Sequence, residues 1–120
     1  MSLLTSTATA TIANGASLSG AVFLGDKVLS AIQMPAGWDA AALTFQVSND
    51  GGTTWNELLD ATGTAITVAS PAAAKRYEVD ATQFKSSLFL KVRSGTSSVP
   101  VNQTASRSLI LVARKFYPVS

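Results

Sequence analysis

Leu43-Thr44-Phe45-Gln46-Val47-Ser48 followed by Asn49-Asp50-Gly51-Gly52 decides the fold. Successive side chains of an extended chain point to opposite faces, so Leu43, Phe45 and Val47 share one face and Thr44, Gln46 and Ser48 the other. That is the alternation of a half-buried strand. Asn-Asp-Gly-Gly then supplies the residues a tight hairpin turn needs, and Thr53 to Leu59 reads as the returning strand.

The same pattern recurs on both sides of this hairpin. Thr5 to Ile12 alternates β-branched Thr with small residues, and Asn14-Gly15 marks a turn after it. Leu18 to Leu24 is a second stretch. Lys27 to Met34 is a third, with Val28, Ile32 and Met34 on one face, and Pro35-Ala36-Gly37 stops it. Asp39 then either caps a helical turn through Ala42 or lies in a loop. Downstream, Thr64 to Ala69 and Arg76 to Asp80 read as short strands, the latter with Tyr77 and Val79 inward. Thr82 to Ser87 reads as a loop. Leu88 to Ser94 puts Leu90 and Val92 inward and Lys91 and Arg93 outward together. Ser108 to Arg114 carries Leu109, Ile110, Leu111 and Val112 in a row, so both of its faces want cover. It is expected to be a central strand or one packed on another subunit. About eight short strands at this spacing predict an all-β chain, an antiparallel two-sheet β-sandwich of jelly-roll type. Residues 1–14 form an N-terminal strand or arm, and 15–120 a single sandwich domain.

Composition narrows the chemistry. The chain has 120 residues with no Cys and no His. Thiolate or imidazole chemistry, disulfides and structural zinc therefore have no residues to work with. Charged residues are only 13% of the total, whereas about 25% is usual. No apolar run is long enough to span a bilayer, and residues 1–4 do not begin a secretory signal, so no membrane is expected as a partner. Charge is unevenly placed. Residues 1–25 carry none, 26–80 hold all seven acids for a balance of −4, and 81–120 hold six bases and no acid. If these segments interleave in a sheet, the field cancels. The basic third lacks interleaved aromatics, which argues against a nucleic-acid partner.

Ser48-Asn49-Asp50-Gly51-Gly52-Thr53-Thr54-Trp55 resembles the Asp-box of sialidases and other β-propellers. In those proteins the box shapes a hairpin away from the catalytic centre. It stands here once, in a chain too short for a propeller, so the implied role is a well-formed turn. Glu78 and Asp80 share a strand face, but nothing near them suggests a cleft or a raised pKa, so they read as solvated surface. No nucleophile or phosphate-binding motif is present, and the chain is expected to be neither an enzyme nor the holder of a cofactor or metal. Trp38 follows a Pro-Ala-Gly break in a loop and, with Tyr117, is the aromatic most suited to stack on a sugar.

Ile32 to Ser48, and Phe89 to Thr96 with Pro100-Val101-Asn102-Gln103 beyond, resemble segments common in small structural proteins of tailed bacteriophages. The likeness spans roughly residues 15–115 and carries no site motif. It implies a virion component made in the host cytoplasm and carried on the capsid surface: a decoration, or cement, protein that binds the major capsid protein and stabilises the head. The alternative is a carbohydrate-binding module on a fibre or tail, with a host glycan as partner. The uncharged N-terminal segment and the doubly apolar 108–114 stretch suggest a homodimer or homotrimer. Trp38, Lys91, Arg93, Leu109 and Leu111 are the candidate interaction residues.

Overall fold

The Asn49–Thr54 turn is the apex about which the chain doubles back. In the computed structural model, which describes residues 5–115, the strands are β1 (Thr5–Ile12), β2 (Val22–Phe23), β3 (Lys27–Gln33), β4 (Leu43–Ser48), β5 (Asn56–Glu57), β6 (Arg76–Glu78), β7 (Phe89–Ser94) and β8 (Arg107–Lys115). One short 3-10 helix, Ala81–Phe84, interrupts them. From the apex outward, β4 pairs with β5, β3 with β6, β2 with β7 and β1 with β8, all antiparallel. Additional pairings of β3 with β8 and β4 with β7 roll this long hairpin into two sheets, ordered β1-β8-β3-β6 and β2-β7-β4-β5. That is the strand order of a jelly roll, an antiparallel two-sheet sandwich of eight strands.

The core lies between the sheets. Ala10, Ile12, Leu29, Ile32, Leu109 and Leu111 face it from one side, and Leu43, Phe45, Leu90 and Val92 from the other. A bulge in β3 explains why burial there does not alternate. Leu29 sits opposite Ala113 but Ala31 sits opposite Val112, which leaves Ser30 extra. The Ser30 hydroxyl donates to the Val112 carbonyl at 3.1 Å, which satisfies the displaced side chain.

Several expectations need correction. Thr82–Ser87 is not simply a loop. Asp80 caps the 3-10 turn by accepting from the Thr82 amide and hydroxyl, and the turn drives Phe84 into the core edge-on to Phe45, with ring centroids 5.1 Å apart. Of the two readings at Asp39, a capped helical turn or a loop, the chain takes the loop. The returning half of the hairpin is regular only at Asn56–Glu57, and 64–69 contributes isolated bridges at Ala65 and Val68. Of the two readings of the N-terminal segment, strand or arm, residues 5–12 take the first, since Thr5 to Ile12 pairs residue by residue with Arg114 to Arg107 and closes the core with Ala10 and Ile12.

Candidate functional site

Leu109 and Leu111 are wholly enclosed, so they hold the two sheets together and offer nothing to a partner. β8 lies between β1 and β3, and it is Ile110 and Val112, half-buried on its outer face, that give the strand its second apolar row. The run of four apolar residues thus reports a central strand.

Arg93 and Lys91 do share the outer face of the other sheet, yet they do not act together. Arg93 is buried in a two-pronged ion pair with Glu57, Nη1 to Oε1 at 2.5 Å and Nη2 to Oε2 at 2.6 Å. Gln46 Nε2 donates to the same carboxylate at 2.9 Å, and Arg93 Nη1 reaches Thr44 Oγ1 at 3.3 Å. These bonds hold the Glu57 carboxyl below its ordinary range and raise the Arg93 guanidinium. Glu57 is placed by the short β5 pairing opposite Gln46, and its contact with Arg93 joins residues 36 apart, which no local pattern announces. Arg93 is therefore withdrawn from any docking role. Lys91 remains on the surface with its ammonium 4.5 Å from the centre of the Trp55 ring.

The interleaving of acidic and basic segments is visible in the ion pairs. Arg93 meets Glu57, Arg107 meets Asp39 and Lys115 meets Asp26, each joining the basic third to the acidic middle.

The Asp50 turn is built as its residue types suggest. Ser48 donates its hydroxyl to Asp50 Oδ1 at 2.8 Å and accepts the Gly52 amide at 3.0 Å. The Thr54 amide donates to Asp50 Oδ1 at 2.8 Å, and Trp55 Nε1 donates to the Gly52 carbonyl at 2.9 Å. The Thr54 amide, with help from Ser48, holds the Asp50 carboxyl down at about 2. Asp50 Oδ1 is used within the turn, and Asn49 Oδ1 accepts from the Leu88 amide at 2.9 Å and ties the turn to the start of β7, which makes it a structural element.

Trp38 is half-buried against the core, and its Nε1 donates to the Ala41 carbonyl at 3.3 Å. It borders an open cleft of about 470 Å³ walled by Ala40, Ala41, Ala42, Ser70, Pro71 and Ala72 among others. Methyl groups dominate this wall, and Ser70 is its one hydroxyl-bearing side chain. Its neighbour Asp39 accepts from the Thr104 amide at 2.6 Å and pairs with Arg107, while the enclosed Gln103 donates to the Asp39 carbonyl and the Ser94 hydroxyl. This clasp fixes the loop that carries Trp38. Tyr117 lies outside the described residues.

One feature of the surface had no signal in strand alternation. Phe23, 64% exposed, sits beside half-buried Phe89 on the outer face of the β2-β7-β4-β5 sheet, with ring centroids 5.1 Å apart. β2 pairs with β7 so that Phe23 falls opposite Phe89, and Lys91 follows two residues along the same face. The result is an exposed aromatic pair, its rings tilted by 49°, with a cation–aromatic pair next to it. Among the described residues no group of His, Cys, Asp and Glu is arranged to hold a metal ion.

No protein-family model matches this chain, and no curated protein matches it. Among solved structures it is similar to the Yersinia pseudotuberculosis-derived mitogen, at 14% identity and a TM-score of 0.41, over 97% of this chain and 89% of that one.

Proposed function

We propose that this chain is a non-enzymatic decoration protein of a tailed-phage head, which attaches to the major capsid protein through the outer face of its β2-β7-β4-β5 sheet. The observation that carries the reading is the exposed Phe23–Phe89 pair. A large apolar ring left 64% exposed on a sheet face is poorly placed for a free monomer and well placed for a covered one. The patch lies on a sheet face, and its polar surroundings are already engaged: Arg93 with Glu57, and Lys91 with Trp55. Stabilisation of the shell would come from many copies of a modest contact. The resemblance of residues 32–48, 89–96 and 100–103 to phage structural proteins suggests the identity of the partner.

The test is binding of purified protein to expanded capsids lacking it. Phe23→Ser should abolish co-sedimentation with the shells while leaving the melting temperature nearly unchanged, because the ring is mostly in solvent. Retention of full binding by Phe23→Ser would remove the proposed face.

The glycan-binding alternative has one observation in its favour, the aromatic Trp38 beside an open cleft. Sugar recognition also needs polar partners for hydroxyl groups, and this cleft is lined chiefly by alanine methyls. The capsid reading is therefore the conclusion here. Host-cell adsorption that depends on Trp38 would reverse that preference.

A further inference from the structure

The free edge of β1 points to a second copy of this chain. Among the described residues β1 ends its sheet, with β8 on one side and no strand on the other. Both backbone polar groups of a residue in an antiparallel strand point to the same side. The Thr11 carbonyl accepts from the Gly20 amide, on the side away from β8. The N–H and C=O groups of Thr5, Thr7 and Thr9 therefore also point away from β8, and among the described residues no backbone group pairs with them.

Edge strands in monomers are blunted by charge, proline, bulges or shortness. β1 has none of these. It runs for eight residues, Thr-Ser-Thr-Ala-Thr-Ala-Thr-Ile, and its register with β8 is unbroken. Basic side chains flank the strand without sitting on it: Lys27 Nζ is bonded to the Ser6 hydroxyl at 2.9 Å, on the core-facing side, and Arg114 stands on β8 opposite Thr5, on the side away from the free edge. The opposite end of the same sheet differs, since β6 is three residues long and carries Arg76 and Glu78 outward.

We infer that two copies of this chain pair through antiparallel β1 edges, joining their four-stranded sheets into one of eight strands. The exposed register is self-complementary. With Thr7 on the two-fold axis, Thr5 lies opposite Thr9 of the second copy and Thr9 opposite Thr5, so every cross-strand pair on the outer face is Thr with Thr. An uncharged strand meets its own copy without repulsion, which is the charge complementarity a two-fold pairing demands. This inference is independent of the capsid reading and uses a different face.

Sedimentation equilibrium from low to high micromolar concentration, run alongside amide exchange, tests it. The wild type should dimerise, and the amides of Thr5, Thr7 and Thr9 should gain protection as concentration rises. Thr7→Lys places two like charges at the axis and should weaken association by about tenfold or more. Ser97→Lys, the same charge in the exposed 96–99 turn, should not. Because the Thr7 side chain is exposed, Thr7→Lys should keep the wild-type melting temperature at monomer concentrations. A wild type that stays monomeric overturns the inference. So does a dimer indifferent to Thr7→Lys, or one in which those three amides exchange as fast as in the monomer.

Discussion

Arg93 shows why a charged side chain on an outward strand position is not always a surface residue. Its face is outward, yet β5 brings Glu57 across it, and the pair is sealed by Gln46 and Thr44. Removing one partner of such a pair leaves the other charge in a poor environment, which costs more than the pair itself contributes. Glu57→Ala should destabilise the fold by about 2–3 kcal/mol, the low end for buried pairs because Glu57 keeps some water contact. The pair also sets a pH dependence. The Glu57 carboxyl is lowered in the fold from an ordinary value of 4.5, so its contribution is complete above that value and is lost as pH falls through the lowered one. Chemical denaturation should therefore find wild type more stable than Glu57→Gln at pH 6, with the gap closing as pH drops below about 4. Gly95 is the second informative residue. Its φ is +91°, and a Cβ there would meet the Val99 carbonyl at 2.5 Å and the Val101 amide at 2.7 Å. Both are backbone and neither can swing aside. Gly95→Ala should cost about 3 kcal/mol by urea denaturation, more than a change at the open Gly63 turn.

At the scale of elements, β1 is structural before it is anything else. Ala10 and Ile12 are enclosed, and the strand covers the whole length of β8. Loss of residues 5–12 should unfold the sandwich, seen as collapse of the cooperative thermal transition, whereas a dispensable arm would leave that transition intact. The Asp50 turn is the other decisive element, because every pairing from β3–β6 outward is a continuation of the hairpin it closes. Gly52 has φ of +90°, so Gly52→Val should cost about 1–3 kcal/mol by the same measurement. Strand pairing elsewhere is non-local, with β1 and β8 at opposite ends of the sequence, so the chain should fold slowly for its size.

For the whole molecule, the two-sheet architecture was legible because alternation in Leu43–Ser48 and Leu88–Ser94 is a local signal. Partners across the sandwich are not local. Leu109 and Leu111 look like candidates for an interface until β1 and β3 are placed on either side of β8. Arg93 looks exposed until β5 is placed beside β4. Phe23 stands in Val22-Phe23-Leu24, an apolar run with no alternation to say which side chain is outward, and its exposure depends on the pairing of a two-residue strand. The bulge at Ser30 and the 3-10 turn that inserts Phe84 each break a simple period, and each is fixed by a tertiary contact: the Ser30–Val112 bond and the edge-to-face packing of Phe84 and Phe45.

Capsid attachment is the central claim, and the most direct measurement compares virions with and without this chain for the temperature at which the shell fails and for adsorption to host cells. Virions lacking the chain should fail at a lower temperature, adsorb normally, and regain wild-type stability on addition of the purified protein but not of Phe23→Ser. Virions that lack it yet keep full shell stability and lose adsorption would refute capsid attachment.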